Sequence, residues 1–251
     1  MGSFADFQDS HDFSMEALCS RMLARHRETV QTQKSNIAIA KLVKIFEATL
    51  KLANAKGFHA TTLRDLAAES GVSMGALYSY LGSKENLLHM ILSEVVEGTR
   101  EVLENPPPDL PADARSRLGW LIETQIYLSE LMQPWFALGY REAKLFPVAD
   151  RNMVTDTELA NERRIVHVMI QGVREGVFQI DNPELTAALI KPILQDWYVR
   201  RSQYRHRGVM PDEFAESVMS FVFSAILSPA ARASENLPVK VASGRQKTLR
   251  A

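Results

Sequence analysis

The sequence predicts an all-α chain, and three observations support this. Along most of its 251 residues, apolar side chains recur at steps of three and four, the spacing of one helix face. No segment shows the sustained alternation of apolar and polar residues that is typical of strands. Glycine, proline and capping residues divide the helical stretches from one another. We therefore expect a short N-terminal helical unit followed by a larger helical domain.

The bulk composition excludes several classes of protein. Hydrophobic residues make up 46% of the chain and charged residues 24%, the usual mix for a globular protein. No run approaches the roughly 18 apolar residues of a membrane span, so no membrane partner is expected. The acidic start of the chain lacks the apolar segment of a secretory signal. The single cysteine, Cys19, excludes an internal disulfide and a cysteine-cluster zinc site. We expect a cytoplasmic protein without cofactor or metal.

The N-terminal third divides into an arm and a group of short helices. Residues 1–34 show little periodicity beyond a fragment near Met15–Val30, and we expect a partly disordered arm. A helix is predicted over Ser35–Ala55, and Gly57 ends it. The later helices start at sequence signals for N-caps: Thr61-Thr62 with Asp65 as a capping box, Ser73, and Ser83. These predict helices ending near Glu69, Tyr80 and Leu103.

The remainder reads as a bundle of longer helices. Consecutive prolines make Glu104–Pro111 a loop or a joint between domains. Periodicity then predicts five helical stretches: Ala112–Met132, a broken one over Trp135–Phe146, Thr155–Glu175, Pro183–Arg205 and Pro211–Leu227. The expected domains are residues 35–85 and 86–230, and we expect the basic tail, 231–251, to be disordered.

Two helices of about eight residues, joined through Gly71, form a helix-turn-helix. Leu66 and Ala67 of the first can pack against Val72 and Leu77 of the second, which holds the second helix outward. An exposed short helix fits the DNA major groove. Residues 34–90 carry a net charge of +3 in a chain whose total is −1. This charge fits an anionic partner, and the alternative is a chance fluctuation of charge along the chain.

The motifs over Ile45–Leu88 resemble the DNA-binding domain of the TetR family of transcriptional regulators. The stretches that carry the resemblance are Gly57-Phe58-His59-Ala60-Thr61-Thr62, Gly71-Val72-Ser73, Gly75-Ala76-Leu77-Tyr78-Ser79-Tyr80-Leu81 and Ser83-Lys84-Glu85-Asn86-Leu87-Leu88. The chain departs from the family pattern at Ala53 and Leu81, both core positions. It also has Met74 where a polar or basic residue is frequent, so base readout is expected to rest partly on DNA shape.

The resemblance implies roles for individual residues of this DNA-binding domain. It implies that Thr61 or Thr62, together with Tyr78, Tyr80 and Lys84, contacts the DNA backbone, and Arg64 could also reach a phosphate. Ser73, Met74, Gly75 and Ala76 would face the bases. For Tyr78 and Tyr80 the alternative is packing on the first helix, and for Arg64 it is an ion pair with Asp65.

The family's members are homodimers, and the last two long helices suit that interface. The expected interface residues are Leu189, Ile193, Trp197, Val218, Phe221, Val222 and Ile226. Such a helical face needs either its own core or a second subunit, and the sequence does not separate the two. A two-fold dimer predicts a palindromic operator in double-stranded DNA.

The resemblance also implies that the helices between Ala112 and Glu175 enclose an effector pocket. Aromatic and methionine residues are dense there, and the alternative is that they form the core; polar residues lie among them. The predicted lining residues are Trp120, Gln125, Tyr127, Trp135, Phe136, Tyr140, Glu142, His167, Gln171 and Trp197. Gly139–Lys144 and Asp196-Trp197-Tyr198 also resemble family members that sense fatty acyl-CoA or other CoA thioesters. A plain hydrophobic or aromatic effector fits the same composition.

The function predicted from the sequence is a ligand-responsive repressor, released from operator DNA by a hydrophobic small molecule. The alternative is a DNA-binding activator or architectural protein without an effector. An enzyme is not expected, because the six histidines are scattered and no metal, phosphate-loop or hydrolase motif is present.

Overall fold

A computed structural model describes residues 2–25 and 35–234. About 80% of the structure is helical, which confirms the all-α prediction. The helices are α1 (Phe4–Ser10), α2 (Met15–Arg25), α3 (Ser35–Lys56), α4 (Leu63–Ser70), α5 (Met74–Leu81), α6 (Lys84–Glu104), α7 (Ala114–Leu131), α8 (Gln133–Glu142), a 3-10 turn (Ala143–Leu145), α9 (Val148–Arg174), α10 (Pro183–Val199), α11 (Arg201–His206), α12 (Pro211–Ile226) and α13 (Pro229–Ser234). An isolated antiparallel bridge joins Phe178 and Leu227. None of the described helices has the length and apolarity to cross a membrane.

The helix starts predicted from capping residues are confirmed. Thr62 caps α4 and forms the capping box with Asp65, while Ser73 and Ser83 cap α5 and α6 through their hydroxyls. Gly71 follows α4 with φ of 66°, a left-handed conformation that costs glycine little. These local signals fix where α4, α5 and α6 begin, and hence the angle between them.

The helices α3, α4 and α5 form a compact unit that we call the head. Its core contains Phe46 of α3, Leu66 of α4, Leu77 of α5 and Val72 between them, all buried. The same core continues along α6, whose buried residues include Leu87 and Ile91. The helix α6 therefore leaves the head and enters the remaining bundle, α7 to α12, which we call the body.

The N-terminal segment differs from the expected arm. Leu18, Cys19 and Met22 of α2 are buried in the core shared with α3 and α6. Earlier in the sequence, Phe4 and Phe7 of α1 pack on the ring of Tyr127 in α7. Their ring centroids lie 5.5 and 5.6 Å from the centroid of the Tyr127 ring. The expectation of an arm is wrong for these residues, because α1 and α2 are short amphipathic helices whose apolar side chains pack against the head and the body. Residues 26–34 lie outside the described ranges.

The body differs from the predicted helices at three boundaries. The first is the start of α9, which lies at Val148 and not at Thr155. Residues 105–113, which contain the prolines, connect α6 to α7 within the body and do not separate the head from it. The predicted helix Pro183–Arg205 is two helices, since the chain turns at Arg200. The turn lets Tyr204 pack on Trp197 and Phe214 and donate its hydroxyl to Asp196. Of the predicted tail, residues 231–234 end α13 and the rest lies outside the described ranges.

Candidate functional site

The outer face of α5 is a small, uncharged surface. Ser73, Gly75 and Tyr78 are exposed on it, and Met74 and Ala76 are half-buried. A Cβ added to Gly75 would meet no atom within 4 Å, so packing within the described residues does not require glycine there. Glycine in a helix costs about 1 kcal/mol relative to alanine. The face is therefore open to the close approach of another molecule.

The two tyrosines of α5 lie in opposite environments. Tyr78 is 53% exposed, whereas Tyr80 is 3% exposed and belongs to the core. The Lys41 ammonium of α3 lies 5.6 Å from the centroid of the Tyr80 ring. For Tyr80 the structure favours the alternative, packing on the first helix, because a buried ring cannot reach a phosphate group without repacking. Tyr78 remains a candidate for contact with DNA.

The two threonines before α4 also differ. Thr61 is buried, and its hydroxyl donates to the carbonyl of Gly57 at 2.9 Å. Its predicted contact with DNA is corrected, since this hydroxyl closes the turn after α3. Thr62 is exposed, but its hydroxyl donates to Asp65 Oδ2 at 2.7 Å as part of the helix cap. A contact of the Thr62 hydroxyl with DNA would have to keep or replace this hydrogen bond to Asp65.

The cations near this face are unequally available. Arg64 is exposed, and its predicted alternative, a pair with Asp65, is not formed: Asp65 instead pairs with Lys56 at 2.7 Å. Hydrogen bonds from Lys56 and Thr62 hold the pKa of Asp65 well below its usual range. The Lys84 ammonium donates to the carbonyl of His59 at 2.7 Å and lies 4.9 Å from the ring of Phe58. Partial burial lowers the Lys84 pKa, and two of its three N–H donors remain for other acceptors.

A cavity of about 660 Å³ lies in the body between α6, α7, α8, α9 and α10. Its apolar wall includes Leu92, Val95, Phe136, Ile165 and Leu194. The size and apolar lining are those of a site for a small organic ligand. Four of the predicted pocket residues line it: Gln125, Trp135, Phe136 and Tyr140.

Six predicted pocket residues lie elsewhere. Trp197 is fully buried against Tyr204 and Phe214, and the Tyr127 hydroxyl donates to Asp212 at 2.7 Å. Trp120 packs into the body core, and His167 is exposed. Gln171 donates to the carbonyl of Ala112, and Glu142 accepts from the backbone amide of Phe58. These corrections share one cause: periodicity places a residue on a helix but does not say which neighbouring helix covers it.

The contribution of α6 and of the first half of α9 to the cavity was not predicted from the sequence. Val95, Val96 and Thr99 of α6 and Val154 and Thr157 of α9 line its wall. Helical spacing would have grouped these residues on one face each. Aromatic and methionine content drew the prediction toward α7 and α8 instead.

Charged groups surround the cavity unevenly. Three exposed cationic residues, one each from α8, the 3-10 turn and α9, line the cavity: Arg141, Lys144 and Arg151. On another part of the wall, Lys191 of α10 pairs with Glu158 of α9 at 3.1 Å, and Gln195 also donates to Glu158. The cavity therefore combines an apolar interior with a basic edge.

A Ser-His-Asp arrangement, which the sequence analysis did not foresee, lies between α6 and α9. His89 Nδ1 is 2.7 Å from Asp150 Oδ1, and Ser93 Oγ is 3.4 Å from His89 Nε2. Ser93 sits in the middle of α6, where backbone amides are used by the helix, so they cannot stabilise an oxyanion beside it. Among the described residues there is also no cluster of His, Cys, Asp and Glu that could hold a metal ion.

The predicted interface residues divide between the surface and the interior. Leu189 of α10 and Phe221 of α12 are each 64% exposed, and Ile193 is half-buried. Trp197, Val218, Val222 and Ile226 are buried within the subunit, so their assignment to a dimer interface is wrong. Leu185, 58% exposed and one turn before Leu189, extends the apolar stripe that the sequence analysis assigned to α10.

Comparison with known proteins agrees with this architecture. The profile of bacterial regulatory proteins, tetR family, matches residues 45–91, which span most of α3, all of α4 and α5, and the start of α6. The HTH-type transcriptional regulator HbdR of Aromatoleum sp. (strain CIB) is 21% identical over 215 residues, which are 84% of this chain and 93% of HbdR.

Two solved structures are similar in fold. The TetR family transcriptional regulator PfmR from Thermus thermophilus is 26% identical and has a TM-score of 0.55, covering 71% of this chain and 94% of PfmR. The transcriptional regulator FadR from Bacillus subtilis, in complex with stearoyl-CoA, has a TM-score of 0.53 at 16% identity, covering 72% of this chain and 97% of FadR. The helix-turn-helix of the head, the helical body and these relatives lead to one assignment: residues 45–91 match the tetR family of bacterial regulatory proteins, and the chain as a whole is similar to transcriptional regulators.

Proposed function

We propose that the protein is a ligand-responsive repressor that binds palindromic operator DNA as a homodimer and is released by a hydrophobic small molecule. The observation that carries the proposal is the position of α6. This helix starts at Lys84 beside α5 and runs along the cavity, where Leu92, Val95, Val96 and Thr99 form part of the wall. A ligand that requires a different position of α6 therefore changes the position of the head.

The proposed contact with DNA is the outer face of α5 and its neighbours. Ser73, Met74, Gly75 and Ala76 would face the bases, while Thr62, Arg64, Tyr78 and Lys84 would contact the backbone. The open space above Gly75 and the exposure of Tyr78 support this arrangement. Small side chains and hydroxyl groups allow close approach of the helix to the groove.

The proposed dimer forms through α10 and α12. These helices pack on each other, and each exposes a large apolar residue, Leu189 and Phe221. Exposed apolar surface on neighbouring helices favours a second copy of the chain, and a two-fold axis through this face would pair two heads. Two heads related by a two-fold axis would read a palindrome whose half-sites lie about one DNA turn, or a multiple of it, apart.

The proposed effector has an apolar body and an anionic end. The apolar wall accommodates the first, and Arg141, Lys144 and Arg151 provide cations for the second. A fatty acyl-CoA or another CoA thioester has both features, and the similarity in fold to the stearoyl-CoA complex of FadR makes it the first class to test. The ligand would then shift the population of the dimer from one geometry to another. This shift requires that the ligand bind the two geometries with different affinities.

The test begins with selection of a binding site from random double-stranded DNA by the purified protein. The proposal predicts a palindromic site, a complex of two chains per site in native mass spectrometry, and a co-purified or added apolar ligand that raises the Kd for that site. A monomer bound to a single half-site, with an affinity that no ligand changes, would favour the activator or architectural alternative.

A further inference from the structure

Arg141 of α8 touches both the effector cavity and the head. We infer that this guanidinium is a positioning group that an anionic effector draws away from Asn54 of α3, which loosens the head from the body. The inference rests on the proposed function and adds to it a second connection between ligand and head, separate from α6.

The contacts of Arg141 place its guanidinium at a junction. Its Nη1 donates to Asn54 Oδ1 at 2.9 Å, and its Nε donates to the carbonyl of Ala137 at 3.2 Å. Arg141, Tyr140 and Tyr198 line the effector cavity, and the same three residues line a second cleft of about 610 Å³ between α3 and the body. The hydrogen bond to Asn54 therefore joins the cavity wall directly to the head.

The chemistry of the two acceptors favours exchange. Asn54 offers a neutral amide oxygen, whereas a carboxylate or phosphate offers charge and two oxygens that match the guanidinium fork. Pairs of arginine with a carboxylate or phosphate are frequently bidentate, which adds energy that a single hydrogen bond to a neutral amide lacks. Lys144 and Arg151 are exposed on the same cavity and would add attraction for an anion. An anion in the cavity that pairs with the guanidinium through Nη1 competes with Asn54 Oδ1 for the N–H groups of that nitrogen, and this competition draws the guanidinium away from Asn54.

The next residue, Glu142, supplies an internal comparison. Its Oε1 accepts from the backbone amide of Phe58 at 3.1 Å, so it too joins α8 to the head. Glu142 does not line the effector cavity. A ligand in the cavity should therefore compete directly for the hydrogen bond between Arg141 and Asn54. It should not compete for the hydrogen bond between Glu142 and Phe58, which changes only if the head moves.

The coupling must be reciprocal, since it is a free energy shared by two binding sites. If an anionic effector lowers the affinity for operator DNA, operator DNA lowers the affinity for that effector by the same factor. A neutral ligand of the same apolar shape lacks the interaction with Arg141. It would act through α6 alone and would show weaker coupling.

The experiment compares dodecanoyl-CoA with dodecanol, which carry the same apolar chain with and without anionic groups. For each protein the measured quantity is the ratio of the Kd for a selected operator with saturating probe to the Kd without it. We expect a larger ratio for dodecanoyl-CoA than for dodecanol in the wild type. Asn54→Ala, at an exposed helical position, should lower the dodecanoyl-CoA ratio by about fivefold and leave the dodecanol ratio unchanged.

Two further variants separate charge from contact. Arg141→Lys keeps a cation for binding dodecanoyl-CoA but loses the fork, so its ratio should fall as in Asn54→Ala. Glu142→Ala should change the probe-free Kd and keep the wild-type ratio. A wild-type ratio in Asn54→Ala would overturn the inference while leaving the proposed function intact. A wild type whose operator affinity responds to neither probe would overturn the proposed function, and the inference with it.

Discussion

The guanidinium of Arg21 in α2 lies 2.7 Å from a carboxylate oxygen of Glu94 in α6, and the Glu94 side chain is fully buried. Arg25, one turn later, pairs with the other oxygen of the same carboxylate. The N-terminal segment thus neutralises a charge inside the helix that connects head and body. It also covers α6 with Phe13, which lies against Gly98.

This relationship predicts that α2 is required for stability. Replacing both Arg21 and Arg25 with alanine leaves the Glu94 carboxylate buried without a partner, which should lower the free energy of unfolding by about 3 kcal/mol. Urea denaturation measures the change. Arg100→Ala removes an arginine from exposed pairs with Glu97 and Glu104 and should cost less than about 1 kcal/mol. Equal effects of the two changes would show that the buried pair has no special role.

The tyrosines of α5 should separate DNA contact from folding. Tyr78→Phe removes an exposed hydroxyl and should weaken operator binding severalfold without lowering Tm. Tyr80→Phe changes a buried residue and should leave the operator Kd within about twofold after any loss of stability is allowed for. Fluorescence anisotropy and thermal melts measure both. The reverse order of effects on the Kd would contradict the assignment of Tyr78.

A contact between Arg64 and a DNA phosphate should be detectable in the salt dependence of the affinity for DNA. If it contacts a phosphate, Arg64→Gln reduces the slope of log affinity against log salt by about 0.9 per contact, or about 1.8 for a dimer. The variant should bind all DNA sequences less tightly, since phosphate contacts carry no base specificity. An unchanged slope would mean that Arg64 stays in solvent in the complex.

The exposed apolar stripe should control assembly. Leu189→Asp and Phe221→Asp each place a charge in the proposed interface, and either should convert the dimer to monomer in sedimentation and reduce operator affinity at least about tenfold. Val148→Asp makes the same chemical change at an exposed apolar residue of α9 and serves as the control. Persistence of the dimer in both interface variants would place the interface elsewhere.

Glu123 of α7 should make stability depend on pH. Burial raises its pKa from an ordinary value of 4.5 to about 7, and the neighbouring carboxylates of Asp212 and Glu216 also act to raise it. A folded pKa above the unfolded one means that ionisation destabilises the fold, with no penalty below about pH 4.5 and the full penalty above about pH 7. Glu123→Gln should therefore raise stability at pH 8 by about 1 kcal/mol, discounted for partial exposure, and have little effect at pH 4. Melts at the two pH values measure this. A destabilised variant at pH 8 would show that the Glu123 carboxylate is needed there in its ionised form.

Features that depend on contacts between residues close in sequence were predicted correctly, and features that depend on contacts between residues distant in sequence were not. The starts of α4, α5 and α6 were predicted because Thr62, Ser73 and Ser83 cap their own helices within three residues. The roles of Trp197 and Tyr127 were misjudged because partners distant in sequence, Phe214 and Asp212, decide where those rings lie. Helical spacing showed that α10 has an apolar face. It did not show that Leu189 points outward while Trp197 points into the body, which the packing of α12 decides.

The central claim is that occupancy of the body cavity controls the affinity of the head for DNA. Gly139 lines this cavity, and a Cβ there would lie 3.8 Å from Leu92, an ordinary contact, so Gly139→Met should fill the space without strain. The decisive measurement is the operator Kd of wild type and Gly139→Met, each titrated with dodecanoyl-CoA. We expect the ligand to raise the wild-type Kd at least about tenfold and to leave the Kd of Gly139→Met unchanged. A similar rise in both proteins would show that the ligand acts from another site, and the claim would be wrong.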